Sequence, residues 1–299
     1  MYPLSRQELR HRYSVAAWSL LAFTALLEGF SFLYALPYYL GNYDLYYNDW
    51  YQNLANCLIV YPAGFIAFGL ILRKFPKPRL AELPAPGVTD IVQGIVVALG
   101  FLYTASYLTD FLLADTNTVD YANEAVAEEP LHIAILFTVI LAPLFEEILF
   151  RKLLLDRLLF LGDWSALVIS SLFFGLFHTN LYQFLYATTV GLVLGYVHIM
   201  TGKMRWNVGL HMFINLFCGV LIGYLPDEDW VWEIFSLAVT FCIIFAVIYV
   251  IRKRPWREFY PGPMNWFTAE DKGLACLTSV PFWLCVALHL GLSVYYIIQ

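Results

Sequence analysis

Nine long apolar stretches dominate the sequence and limit the folds that it can adopt. A helix that crosses a bilayer needs about 20 mainly apolar residues, and each stretch reaches or approaches that length. The stretches cover residues 15–39, 54–73, 90–114, 131–160, 164–179, 181–201, 207–225, 231–251 and 274–297. Only 13% of the residues are charged, whereas a soluble domain has about a quarter. The sequence therefore predicts an all-α, polytopic membrane protein, with residues 1–299 in a single integral membrane domain.

The lysines and arginines indicate how these helices alternate across the membrane. If nine helices alternate, all 17 basic residues fall on the same side. They are Arg6, Arg10 and Arg12 before the first stretch, Arg73, Lys74, Lys77 and Arg79 after the second, Arg151, Lys152 and Arg157 near the end of the fourth, Lys203 and Arg205 after the sixth, and Arg252, Lys253, Arg254, Arg257 and Lys272 after the eighth. Basic residues concentrate in cytoplasmic connections, so the N-terminus is predicted to be cytoplasmic.

Polar and charged residues recur inside the apolar stretches between residues 131 and 225. They are Glu146, Glu147 and Arg151 in the fourth stretch, His178 in the fifth, and His211 and Asn215 in the seventh. Ionisable groups are costly in hydrocarbon and are usually retained for a function. These residues are therefore the candidates for a functional site, provided that the fold brings them together.

The spacing of these residues predicts similar depths in the membrane. The fourth and fifth stretches form a hairpin around Gly162, with Glu146 16 residues before it and His178 16 residues after it. At ~1.5 Å per residue, both lie ~24 Å from the tip. The fourth stretch, at ~45 Å, is longer than the ~30 Å hydrocarbon core, so the hairpin is expected to project ~15 Å into the cytoplasm. His211 follows Arg205 by six residues and is predicted at a matching depth, ~9 Å inside the cytoplasmic boundary.

Helical periodicity predicts which of these side chains point together. Glu147 and Arg151 are four residues apart and form a favourable ion pair on one helix face. Glu146 is rotated by ~100° from Glu147 and is free to face other helices. His211 and Asn215 are also four apart and share a face. The charges near the hairpin tip are expected to be exposed on its projection; they are Lys152, Asp156, Arg157 and Asp163.

The order of these motifs resembles that of a known family. Glu146-Glu147-x-x-x-Arg151, Phe174-x-x-x-His178 and His211-x-x-x-Asn215 are similar to the three motifs of the CAAX-protease and bacteriocin-processing family of intramembrane proteases. This family is also called the Abi family and includes the type II CAAX prenyl endopeptidases. The resemblance covers about residues 131–225, which it marks as the catalytic core. It implies an endopeptidase acting on a membrane-associated substrate from the cytoplasmic side of a bacterial plasma membrane.

The resemblance also implies roles for individual residues. Glu146 and His178 would activate a water, while His211 and Asn215 would stabilise the oxyanion. Glu147 and Arg151 would support the site, and Phe174 would pack beside His178. This mechanism needs no cofactor. In the alternative, Glu146, His178 and His211 bind zinc and a catalytic water, although the sequence contains no H-E-x-x-H motif.

Two other classes of function are compatible with intramembrane polar groups. A proton-coupled transporter uses similar residues, but it would be expected to show an inverted repeat, and none is found. A non-catalytic immunity or binding protein could keep the same scaffold. The expected partners are a membrane-associated peptide or protein and the lipid bilayer, with no nucleic acid; prenylated tails, bacteriocin-like leaders and membrane segments all remain as substrates. Glu28, inside the first stretch, could line the cavity, contact Arg151 or lie near the outer interface.

Overall fold

The computed structural model describes residues 5–75, 85–114, 120–262 and 267–298, and this part of the chain is helical, with no strand. Its main helices are α1 (Arg6–Tyr39), α2 (Asp49–Leu72), α3 (Val88–Leu113), α4 (Leu131–Leu161), α5 (Asp163–Phe177), α6 (Leu181–Thr201), α7 (Met204–Tyr224), α8 (Asp229–Glu258) and α9, which consists of Ala269–Leu277 and Val280–Tyr296. Short helices over Tyr43–Tyr46 and Tyr121–Glu128 lie in the connections after α1 and α3.

Each predicted apolar stretch corresponds to one of these nine helices. Among the described residues, seven helices are long and apolar enough to cross a membrane, namely α1 to α4 and α6 to α8. The two halves of α9 meet at 64° and make an eighth if they form one span, whereas α5 is apolar but has only 15 residues. The prediction of an all-α, multi-pass membrane protein is confirmed.

Side-chain caps explain where several helices begin. Asn48 accepts a hydrogen bond from the backbone N–H of Tyr51 and caps α2, and Asn180 accepts one from Tyr182 and caps α6. Thr268 and Asp271 form a capping box at the start of α9. A capping side chain satisfies a backbone donor that the first helical turn leaves unpaired. The cap at Asn180 separates α5 from α6 only two residues after His178.

Helix α4 is not a regular α-helix along its whole length. π-helical segments over Ile135–Leu141 and Ile148–Leu155 flank a short α-helical segment, Ala142–Glu147. Pro143 lies in that segment and has no backbone N–H, so a regular hydrogen-bond ladder cannot pass through it. π-helical turns are often found at functional sites, and here they border the two glutamates.

Small residues allow α5 and α6 to pack closely. A Cβ atom on Gly191 would lie 3.1 Å from the Cα of Ser171 and 3.2 Å from the ring of Phe174. A Cβ atom on Gly175 would come within 2.6 Å of the Phe184 carbonyl oxygen. Membrane helices pack through small residues at such contacts. This close approach holds Phe174 and His178 beside α6.

Several of the basic residues gather at one end of the helix bundle. The Arg157 guanidinium at the end of α4 donates to the Leu72 carbonyl at the end of α2. Arg12 near the start of α1 lies between the rings of Phe75 and Phe160. The structure therefore brings connections that were predicted to share a side to the same end. That this end faces the cytoplasm stays a prediction, and Lys77 and Arg79 lie outside the described residues.

The tip of the α4–α5 hairpin is covered, contrary to the prediction that its charges are exposed. Asp156, Arg157 and Asp163 are each at most 9% exposed, whereas Lys152 has a half-exposed side chain. The segment after α8 folds over the tip: the N–H of Asp163 donates to the Tyr260 carbonyl, and the Asp163 carboxylate accepts from the Tyr260 N–H. The prediction was wrong because it treated the hairpin as isolated from the connection between α8 and α9.

Candidate active site

Glu147 and Arg151 form the buried ion pair that their spacing predicts. Arg151 Nε lies 3.1 Å from Glu147 Oε2, and both side chains are fully buried. Arg151 Nη1 donates to the Ser170 hydroxyl at 3.3 Å, which joins α4 to α5. The guanidinium also lies 5.0 Å from the centroid of the Phe174 ring. A buried charge needs such a set of partners, because each one offsets part of the desolvation cost.

Glu147 also binds His211, a contact that the sequence does not predict. Its Oε1 atom lies 3.1 Å from His211 Nδ1, across 64 residues of chain. The carboxylate therefore lies between Arg151 on its own helix and His211 on α7. A hydrogen bond from Nδ1–H to a carboxylate fixes the tautomer and orientation of an imidazole and leaves Nε2 available for chemistry. Glu147 is thus a positioning residue for His211 as well as a partner of Arg151.

Glu146 has no comparable ion pair. Its Oε2 atom lies 3.8 Å from His211 Nε2, which is too long for a direct hydrogen bond, and its side chain keeps 11% of its exposure. Within the described part of the chain, its carboxylate accepts no hydrogen bond. The Glu146 carboxylate and the Nε2 atom of His211 are therefore near each other without a direct hydrogen bond.

His178 is connected to the same region by Phe174, whose ring contacts both His178 and His211. His178 Nδ1 donates to the Phe174 carbonyl at 2.8 Å, so Nε2 is the nitrogen left for chemistry. The Phe174 ring makes T-shaped contacts with both imidazoles, with its centroid 5.0 Å from the ring of His178 and 5.7 Å from that of His211. Among the described residues, His178 forms no direct hydrogen bond or ion pair with Glu146. Phe174, predicted to pack beside His178, therefore contacts both histidines and Arg151.

The backbone directly after His178 is strained. Thr179 has a φ of 44°, in the left-handed region that β-branched residues rarely adopt. Such strain costs ~1–3 kcal/mol and persists only where the surroundings enforce it. The Asn180 cap and the end of α5 provide those surroundings. The turn therefore sets the orientation of the chain at His178.

Asn215 donates to a backbone carbonyl of α4 that lacks a backbone donor. The N–H of Ala142 donates to the Phe137 carbonyl, and the next residue, Pro143, has no N–H. The Thr138 carbonyl therefore lacks its π-helical donor, and Asn215 Nδ2 donates to it at 2.9 Å. This bond ties α7 to α4 beside the glutamates. It uses one amide proton of Asn215, so a second proton remains for another acceptor.

The structure contains two other polar pairs that the sequence does not predict. His198 Nε2 binds Asp156 Oδ1 at 2.8 Å in the interior. Glu28 is exposed and accepts a bond of 3.4 Å from the hydroxyl of Tyr296. Glu28 therefore lies on the outside of the bundle and does not contact Arg151. No sequence signal identifies these pairs, because their members are far apart along the chain.

The zinc alternative requires three ligands at one point. Zinc ligands lie ~2.0–2.2 Å from the ion for nitrogen and oxygen atoms. In the ranges that the structure describes, no three His, Cys, Asp or Glu side chains are grouped so that they could hold a metal ion. Glu146 and His211 are close enough to share an ion or a water, whereas no hydrogen bond or ion pair joins either of them to His178 among the described residues. Within this part of the chain the three proposed ligands are therefore not grouped as a zinc site.

Comparisons with known proteins identify similarities that include this region of the chain. A family model described as "Type II CAAX prenyl endopeptidase Rce1-like" matches residues 128–217, which contain all three motifs. A protein from Bacillus subtilis (strain 168) named "Putative membrane peptidase YdiL" is 24% identical over 211 residues, covering 66% of this chain and 86% of the relative. No solved structure is significantly similar to the chain.

Proposed function

We propose that the chain is an intramembrane protease of the CAAX-protease and bacteriocin-processing family and that it hydrolyses a peptide bond with Glu146 as the general base. The observation that carries the proposal is that the two glutamates have different partners. Arg151 is bonded to Glu147, and the Glu146 carboxylate is left 3.8 Å from His211 Nε2 with no hydrogen bond among the described residues. Two atoms at this separation can both hydrogen-bond to one water that lies to the side of the line between them.

Glu146 carries the proton in this mechanism. Its carboxylate takes a proton from the water as the oxygen attacks the carbonyl carbon of the scissile peptide bond. The same proton is then delivered to the nitrogen of the leaving amine as the C–N bond breaks. His178 helps to position the water through Nε2, because its Nδ1 donates to the Phe174 carbonyl. A positioned base of this kind typically accounts for ~10²–10⁴-fold in rate.

His211 and Asn215 supply donors for the oxyanion of the tetrahedral intermediate. His211 lies between the Glu146 and Glu147 carboxylates. In the proposed mechanism its Nδ1–H donates to Glu147, and an N–H at Nε2 donates toward the reacting atoms. The amide proton of Asn215 that is not bonded to Thr138 is the second donor. Donors held in a water-poor site stabilise developing charge strongly.

The proposed substrate is a membrane-associated peptide or protein. We place its cleavage in the catalytic core, about residues 131–225, of a single integral membrane domain spanning residues 1–299. The basic end of the bundle is proposed to face the cytoplasm of a bacterial plasma membrane, following the positive-inside rule. The substrate enters from that side as an extended segment, because a helical peptide bond is shielded from attack. The comparisons match peptidases, and no structural observation favours a transporter or an immunity protein.

The proposal is tested with full-length protein reconstituted in liposomes that contain lipid-anchored or membrane-spanning peptides. Mass spectrometry should detect two product peptides whose masses sum to that of the substrate plus one water. We expect His178→Ala to lower the cleavage rate by about 10²-fold or more, because it removes a group that positions the water. His11→Ala is the matched control, since His11 is exposed on α1. Equal rates for the wild-type protein and the His178 variant would contradict the assignment.

The metal-free form of the mechanism makes its own prediction. Incubation with EDTA or 1,10-phenanthroline is expected to leave the cleavage rate unchanged, because the carboxylate itself activates the water. Metal analysis of the purified active protein should find zinc well below one equivalent. A loss of activity that is restored by added zinc would instead favour the metal mechanism with Glu146 and His211 as ligands.

A further inference from the structure

A polar cavity lies between α1 and α2, far from the candidate active site. It has a volume of about 300 Å³, and Glu129, just before α4, closes one side of it. Glu146 follows Leu131, at the start of α4, by fifteen residues along the helix. The two residues are therefore ~20 Å apart along the helix axis. The cavity is therefore at the end of the bundle opposite the basic residues. Its size is at the lower limit of small-molecule sites.

The side chains that line this cavity use their hydrogen-bond donors on the protein itself. The Ser31 hydroxyl donates to the Glu28 carbonyl, and Gln52 Nε2 donates to the Tyr46 carbonyl. Asn53 Nδ2 donates to the Asp49 carbonyl at 3.1 Å and to Glu129 Oε1 at 2.8 Å. Each of these groups also has an oxygen atom that can accept a hydrogen bond, so the cavity offers several acceptors.

Glu129 adds a negative charge that the described residues do not neutralise. Its Oε1 atom accepts from Asn53, while its Oε2 atom is buried and has no hydrogen-bond partner in the described part of the chain. No described Lys, Arg or His side chain forms an ion pair with it. A carboxylate that is partly removed from water and has no ion pair is costly. A cation in the adjoining cavity would offset part of that cost through its charge.

We propose that this cavity binds a primary ammonium group, with its N–H donors directed at the carboxylate of Glu129 and the amide oxygens of Gln52 and Asn53. The ring of Tyr34 lines the same cavity and stacks on Tyr51, with ring centroids 6.2 Å apart, which adds a surface suited to a cation. Asn56 also lines the cavity and can donate to a polar group next to the amine. A single carboxylate suits an ammonium ion better than a divalent metal, which prefers several charged oxygens.

The unfolding temperature of the full-length protein in detergent tests the site. Phosphatidylethanolamine added to the micelles should raise it in a saturable way, and phosphatidylcholine should not, because its quaternary ammonium has no N–H. Ethanolamine alone distinguishes the source of the amine: a shift with ethanolamine indicates a soluble amine, and a shift only with the lipid indicates a head group. Glu129→Gln should weaken the apparent affinity about 10-fold or more, as expected for losing a charge-assisted hydrogen bond.

Matched variants distinguish a loss of amine binding from a loss of folding. Glu128→Gln makes the same change at the neighbouring residue, which is exposed and does not line the cavity, and it should respond like the wild-type protein. Ser31→Leu fills the cavity but keeps Glu129, and it should lose the response. Without added amine, Glu129→Gln should be at least as stable as the wild-type protein. An equal response of Glu129→Gln and wild type, an equal effect of both lipids, or a shift with Mg²⁺ alone would overturn the proposal. The test does not depend on peptidase activity.

Discussion

Replacing Glu146 by glutamine is expected to lower the rate of peptide cleavage by about 10²–10⁴-fold while leaving the unfolding temperature close to that of the wild-type protein. Glutamine has almost the same shape but cannot accept the proton of the attacking water. Stability should be little changed because the Glu146 carboxylate has no hydrogen bond within the described residues and only a distant contact, 3.8 Å, with His211. Cleavage rates in liposomes and thermal unfolding of the same preparations measure both quantities.

Glu147→Gln serves as the comparison for this prediction. That variant should lose both stability and activity, since Glu147 binds Arg151 and also orients His211. Glu270→Gln, an exposed change on α9, should affect neither. If Glu146→Gln retains cleavage within about threefold of the wild-type rate, where a general base accounts for far more, Glu146 is not the base. If Glu147→Gln alone abolishes cleavage without loss of stability, the two glutamates exchange roles.

Replacing Arg151 by methionine is expected to destabilise the protein by about 3–5 kcal/mol, the largest stability effect expected for a single change in this site. Methionine is close to arginine in length, but it leaves the Glu147 carboxylate buried with only His211 as a partner. It also removes the bond to Ser170 and the contact with Phe174, which join α4 to α5. Denaturation in a fixed lipid and detergent composition, followed by tryptophan fluorescence, measures the change.

Two controls make this second prediction specific. Lys152→Met alters the next residue, whose ion pair with Asp156 is half-exposed, and should cost at most ~1 kcal/mol. The double variant Glu147→Gln/Arg151→Met removes both charges and should recover much of the stability lost in the single variant. If the single and double variants are equally unstable, the ion pair does not account for the effect. The lost packing of the arginine side chain would then explain it.

Much of the fold follows from local features of the sequence. Apolar stretches of spanning length predict the nine helices, because each such helix satisfies its own backbone hydrogen bonds in a bilayer. The ion pair of Glu147 with Arg151 is a contact between residues one helical turn apart, so helical periodicity is sufficient to predict it. The small residues at Gly175 and Gly191 likewise predict the close packing of α5 and α6. These features need no knowledge of how distant segments are arranged.

The contacts that assemble the candidate site depend on the tertiary structure. Glu147 meets His211 across 64 residues, and Asn215 meets Thr138 across 77, and neither spacing carries a periodic signal. The covering of the hairpin tip by the segment after α8 has the same origin. In a membrane the lateral order of the helices is decided by close packing and by hydrogen bonds between them, since lipid and apolar side chains are equally hydrophobic. The sequence alone determined which residues could be reactive, and the packing of α4, α5 and α7 decided that Glu147 is held by Arg151 and His211 while Glu146 is left free.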